Sequence, residues 1–250
     1  MKRMFWDIET SPNIVLSWGA SWKERLSYSN ILEERKIICI CWKWEGEDEV
    51  HSLDWGKKQC DKKLLKAFIK EANKASELVA HNGDRYDLTW LKTRCLYHRI
   101  EAFPKYITID TLKHARSSFR FNSNRLDYIA QFLGVGKKVE TGGFQLWKDV
   151  MNNEEGALQK MVDYCKGDCI VLENVYNELK NYVPHKSHRG VLTGGKKWHC
   201  PECGSNQISH NKTYTTRTGV IKRYMKCRSC KKPYVISDKV YSKFLIENAK

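Results

Sequence analysis

The sequence predicts an α/β domain, a mixed sheet with helices packed on its faces, followed by a small separate β module. Three observations predict it. Hairpin-linked early strands are succeeded by alternating helices and strands, the pattern of a mixed sheet covered by helices. That pattern breaks after Val183, where PHKSHRGVLTGGKK is rich in glycine, histidine and positive charge. Charge changes at the same place: residues 185–250 carry 15 Lys+Arg against 3 Asp+Glu, so +12 of the formal +15 lies there. The organisation expected is therefore a domain over residues 1–184, a linker over 185–197, and a module with a tail over 198–250.

In order, residues 4–8, 37–44, 49–53, 78–80 and 107–109 read as strands, being short and mostly β-branched or aromatic. Residues 61–75, 88–98, 124–132 and 154–182 fit helices by length and apolar spacing. Neither an internal repeat nor a low-complexity tract is evident.

With 250 residues and 41% hydrophobic content, the chain can bury a core of ordinary size beside a small module. A net charge of +15 and a pI near 9.3 point to a polyanionic partner, nucleic acid ahead of an acidic membrane surface. No apolar run is long enough to span a bilayer, and acids interrupt MKRMFWDIET too early for a secretory signal, so a soluble protein in a reducing cytoplasm is expected. There, scattered cysteines read as small buried thiols, which describes Cys39, Cys41, Cys60, Cys95, Cys165 and Cys169.

Two acids, Asp7 and Glu9, interrupt the apolar first strand. Side chains alternate across a sheet, so the pair shares a face, where burial is costly unless a cation neutralises it. Alone, so short a pattern reads first as a strand end at which acids reach solvent. His81-Asn82-Gly83-Asp84-Arg85-Tyr86-Asp87 stands where the 78–80 strand gives way to a helix, and alone Asp87 reads as an N-cap. In the last long helix Tyr164 and Asp168 are four residues apart and face one way. Gly167 between them costs about 1 kcal/mol relative to alanine, which marks a close approach.

Together, in order and spacing, the three stretches resemble the DEDD proofreading-type exonucleases of the ribonuclease H-like superfamily, the kind carried by phage and family B polymerases. Asp7 and Glu9 match its Asp-x-Glu; Asn82, Tyr86 and Asp87 match its second motif; Tyr164 and Asp168 match the Tyr-x-x-x-Asp of the tyrosine subclass. The histidine subclass has histidine where Asp163 stands. Asp110-Thr111-Leu112 and the stretch from Leu126 to Gly134 also resemble family segments, so the likeness spans residues 4–182.

The resemblance implies a ribonuclease H-like mixed sheet and a metal-dependent 3′→5′ exonuclease hydrolysing DNA, single-stranded or 3′-ended, with Asp7, Glu9, Asp87, Tyr164 and Asp168 catalytic. The four carboxylates would hold two Mg2+ or Mn2+ ions, Asp7 bridging them, Glu9 and Asp168 completing one centre, Asp87 supporting the other. Tyr164, a phenol of ordinary pKa about 10, would position the attacking water. The site of action would be the cytoplasm of a bacterium, or of the host if the chain is phage-encoded. Asp84, Asp110, Asp127 and Asp163 read instead as caps or surface acids. Trp18 and Trp22 are expected in the core, with base stacking as the alternative, and Thr141-Gly142-Gly143-Phe144 reads as a turn or a strand contact.

Cys200-Pro201-Glu202-Cys203 and Cys227-Arg228-Ser229-Cys230 are two Cys-x-x-Cys pairs with 23 residues between them. That spacing suits two hairpin turns presenting four thiolates to one structural Zn2+, a zinc ribbon with no open position for catalysis. Residues 208–216 and 220–226 read as its hairpin. Lys222, Arg223, Arg228, Lys231, Tyr214 and Tyr224 mix charge and aromatic faces as a nucleic-acid surface does, and a replication or repair protein is the other partner considered for it. DNA is favoured over RNA, and no membrane partner is expected. Two alternatives stay open: a ribonuclease with the same centre, and a non-catalytic nucleic-acid-binding zinc-ribbon adaptor.

Overall fold

Residues 37–44, IICICWKW, form the near-continuous apolar run that a strand covered on both faces requires. The computed structural model, which describes residues 2–19, 23–101, 105–137 and 142–248, places this run second from one edge of a five-stranded sheet with its first seven residues buried. The chain divides into two units, Met1–Val175 and Tyr176–Lys250.

The first unit contains, in chain order, β1 (Lys2–Thr10), a short pair β2 (Ile14–Val15) and β3 (Ile31–Glu33), β4 (Ile37–Trp44), β5 (Val50–Asp54), α1 (Lys62–Ala72), β6 (Ala75–Ala80) and α2 (Asp87–Tyr97). β7 (Thr108–Asp110), α3 (Thr111–Ser118), α4 (Leu126–Leu133), α5 (Gln145–Met151) and most of α6 (Ala157–Leu179) complete it. The strand order is β5-β4-β1-β6-β7, with β1 antiparallel to β4 and parallel to β6. β1 is therefore the seam between a hairpin half and a parallel half, in the mixed α/β architecture that the alternating pattern predicted.

The register sorts residues onto faces. Trp6 lies opposite Trp42, while Asp7 lies opposite Cys41 and Glu9 opposite Cys39. On one face Trp6 stacks on Phe68 of α1 with centroids 5.1 Å apart. The other face meets α6, where Lys43 pairs with Glu173 and Cys165 reaches Asp7. Each large side chain so buried contributes about 1.5–3 kcal/mol.

Asp61 precedes α1 but does not cap it. Its buried carboxylate accepts from Ile37 N at 3.0 Å, from Arg94 Nε at 2.6 Å and from Arg94 Nη2 at 3.0 Å, and meets His98 Nε2 at 2.6 Å. One side chain thus ties β4 to α2. Burial pushes its pKa up, but hydrogen bonds from Arg94, Ile37 and His98 outweigh that and hold it below the usual carboxylate range. A depressed pKa stabilises the fold above the unfolded value of about 3.9 and loses that contribution as pH falls through the folded value. Asp61→Ala is expected to cost about 3–5 kcal/mol at pH 7, because it strands the buried Arg94 charge. Thermal melts should show that loss and a shallower decline in Tm below pH 4 than in the parent.

Elements that periodicity did not announce are α3, α5 and the β2–β3 pair. α3 exists because Asp110 accepts from Leu112 N at 3.0 Å and Lys113 N at 3.4 Å, capping its start. α5 follows Gly142 and Gly143, both at φ 72°, so the Gly-Gly stretch is a turn into a helix. Trp18 corrects an expectation: it is fully exposed rather than packed in the core. Trp22 and Thr141 lie outside the described residues.

The second unit holds α7 (Arg189–Leu192), β8 (Ile208–Thr215), β9 (Ile221–Cys227), β10 (Pro233–Ser237) and α8 (Asp238–Asn248). β8 and β9 form the expected hairpin; β10 adds a third antiparallel strand, and α8 follows where only a tail was expected. The 185–197 stretch read as a linker carries α7. The small core comprises Trp198, Cys200, Ile208, Met225, Cys227, Tyr234 and Ile236. Among the described residues no helix is long and apolar enough to cross a membrane.

Candidate metal centre and nucleic-acid cleft

Alternation along β1 puts Asp7 and Glu9 on the face that α6 covers, and α6 brings Asp168, 3% exposed, to the same place. Carboxylate oxygens of Asp7, Glu9 and Asp168 all lie within 4.8 Å of one another. Three acids this close repel unless a cation stands among them, and a set of hard oxygens suits Mg2+ or Mn2+. The donor set therefore fits a divalent ion.

Asp87 joins the site differently. It is the first residue of α2 rather than its N-cap, it is 2% exposed, and its Oδ1 accepts from Ile8 N at 3.2 Å. It therefore sits against β1 between the two acids but outside the close trio. Tyr164 lies one helical turn before Asp168 and packs edge-on to Trp147 at 6.4 Å. Trp147 Nε1 donates to Thr10 O at 3.1 Å, and Thr10 Oγ1 meets Tyr86 OH at 2.8 Å. These aromatics frame the end of β1, and only Tyr86 and Tyr164 were flagged by sequence.

A cleft of about 610 Å³ opens beside Asp7, lined by His81, Asn82, Arg116, Asn124 and Arg125 among others. Its floor is held by polar contacts. His81 bridges Thr111 Oγ1 and Asn124 O, each at 2.9 Å, and Asp110 accepts from Asn82 N at 2.9 Å. Gly83 is required here, since a Cβ would lie 2.3 Å from that of Ala80. Of the other acids, Asp110 serves as a cap, Asp84 pairs with Lys113 at 2.5 Å, and Asp163 and Asp127 accept from Gln159 and Gln131. Arg116 and Arg125 escaped sequence reading because α3, which carries one, was not foreseen, and the other precedes α4 as an ordinary surface residue would.

The family model of the RNase H superfamily matches residues 33–180, more than half of the chain. The chain belongs to the RNase H superfamily. Among solved structures this RNase H superfamily member is similar to the family B DNA polymerase from the hyperthermophilic archaeon Pyrobaculum calidifontis, with 12% identity and a TM-score of 0.54. The match covers 72% of this chain but 24% of that polymerase, and at this identity it speaks for the fold. No curated protein matches the sequence. Superfamily membership supports nuclease chemistry and a nucleic-acid substrate.

In the second unit of this RNase H superfamily chain, Cys200, Cys203, Cys227 and Cys230 bring their sulfurs within 4.8 Å of one another, with Cys200–Cys230 at 3.5 Å and Cys203–Cys227 at 3.6 Å. Such a set could hold one tetrahedral zinc ion. The Cys200 thiol pulls that of Cys230 down to about 5. Of the basic and aromatic candidates, Arg223 is engaged by Asp238 at 2.6 Å and Thr213 at 2.6 Å, and Lys231 Nζ donates to Arg228 O at 2.8 Å. Both therefore brace the module. Tyr214 and Tyr224 lie 4.7 Å apart, with Lys212 over Tyr224, Lys222 beside them and Arg228 exposed.

Proposed function

We propose that this chain is a two-metal-ion 3′→5′ exonuclease of the DEDD tyrosine subclass that acts on DNA, with a C-terminal zinc ribbon that helps hold the strand. The observation that carries this reading is the approach of Asp7, Glu9 and Asp168 within 4.8 Å beside a cleft lined by Arg116 and Arg125. Asp7, Glu9 and Asp168 are the ion ligands, and Asp87, anchored on Ile8 N, supports them. Two bound divalent ions would neutralise the scissile phosphate and make water acidic enough to act near neutral pH. Arg116 and Arg125 meet the phosphates of the strand in the cleft. Tyr164 orients the attacking water by a hydrogen bond. Trp18, wholly exposed, offers a face on which a base can stack, as do Tyr214 and Tyr224 on the ribbon. DNA is preferred on the likeness to a DNA polymerase.

End-labelled single-stranded DNA, duplex DNA and RNA, each incubated with Mg2+ or Mn2+, test the proposal. Stepwise shortening of DNA from its 3′ end, stopped by a blocked 3′ terminus, is expected. Cleavage of a closed circle would sink it, and preferential loss of RNA would reassign the substrate to RNA at the same centre. Tyr164→Phe is expected to lower kcat by about 10- to 100-fold with KM nearly unchanged, since it removes a hydrogen bond and no charge. Steady-state kinetics on the DNA substrate measure that split.

A further inference from the structure

Directly behind the carboxylates, three thiols converge. Cys39 and Cys41 come from β4 and Cys165 from α6; all three are 0% exposed, and their sulfurs lie within 4.8 Å of one another. The four sulfurs of the C-terminal module satisfy the same mutual distance. The convergence follows from register. Cys41 stands opposite Asp7 and Cys39 opposite Glu9, and cross-strand partners project to one face. α6 lies over that face and adds Cys165, whose Sγ donates toward Asp7 O at 3.5 Å and Asp7 Oδ2 at 3.7 Å. Sulfurs bound to one tetrahedral zinc ion are about 3.8 Å apart, given a Zn–S bond of about 2.3 Å, so these thiols need move little to share an ion. Packing alone accounts for isolated buried cysteines, but it does not call for three sulfurs to meet with one of them, Cys165, against a carboxylate.

We propose that Cys39, Cys41 and Cys165 form a second metal site, selective for a thiophilic ion such as Zn2+ or Cd2+, with the Asp7 carboxylate as its fourth ligand. Binding forms three metal–sulfur bonds and one metal–oxygen bond, releases the three thiol protons to solvent, and transfers no electrons. Asp7 is drawn toward the sulfurs and away from Glu9 and Asp168, so a soft ion at this site opposes a hard ion at the other. The inhibition rests on the nuclease reading above; the binding does not.

Cadmium NMR and metal analysis of the full chain loaded with Cd2+ provide the test. Two resonances are expected, one from the all-sulfur ribbon shell and a less deshielded one from a shell of three sulfurs and one oxygen. Cys41→Ser and Cys165→Ser should each remove the second resonance and keep the first, with an amide NMR spectrum of the first unit like the parent's reporting that this unit is folded, and Asp7→Asn should shift the second. A parent chain that takes up one ion in an all-sulfur shell overturns the site, as do serine variants that retain both signals. In the nuclease assay at saturating Mg2+, Cys165→Ser should need at least about tenfold more Cd2+ for the same inhibition. Equal sensitivity would overturn the sharing of Asp7. A parent chain with no nuclease activity but two cadmium signals would sink the exonuclease proposal and leave this site standing.

Discussion

Asp7→Ala is expected to reduce hydrolysis of a 3′-labelled oligonucleotide by a factor on the order of 10³ or more, with strand affinity nearly unchanged. Asp7 belongs both to the carboxylate trio and to the wall of the cleft, so its loss removes the side chain that the two share. Arg116 and Arg125, proposed to meet the phosphates, still line the cleft, which is why binding should survive. Single-turnover rates separate the two effects. A control distinguishes lost chemistry from lost structure: without divalent ions the three acids repel, so Asp7→Ala should melt no lower than the parent in a chelating buffer. Hydrolysis by the variant at the parent rate would show that the assignment is wrong.

Removing zinc with a strong chelator is expected to unfold the C-terminal module while leaving the first unit folded. The module core is seven residues, and two of them, Cys200 and Cys227, are themselves in the thiol set. So little apolar area cannot offset chain entropy, and metal binding, worth about 10–16 kcal/mol in small zinc domains, supplies the balance. β1, β4 and α6 have their own core and need no such support. Limited proteolysis should then cut only after residue 184 or so, and Cys227→Ser should reproduce the pattern without chelator. One cooperative transition taking both units together would contradict the proposal that zinc holds the module.

Much of the fold was legible because its signals are local. The apolar run 37–44 emerged as β4 with the same ends, and the helices over 61–75 and 88–98 emerged as α1 and α2 within a few residues. α3 was not legible, because TLKHARSS is short and mostly polar and its stability comes from a cap, Asp110 holding its start. α5 was missed for a similar reason, being two turns entered through a Gly-Gly turn. Trp18 was misassigned because hydrophobicity alone favours burial, whereas it projects from the loop after β2.

The sequence by itself paired Asp7 with Glu9, Tyr164 with Asp168, and each Cys-x-x-Cys with its own turn, since backbone period alone determines which near neighbours face the same way. Only the tertiary structure decided that Asp168 reaches Asp7 and Glu9, that Asp87 rests on Ile8 N instead of capping its helix, and that Cys39, Cys41 and Cys165 meet beneath them. Those meetings depend on the β1–β4 register and on where α6 docks, and both are set by burial of the whole core, in which no single motif has a deciding share.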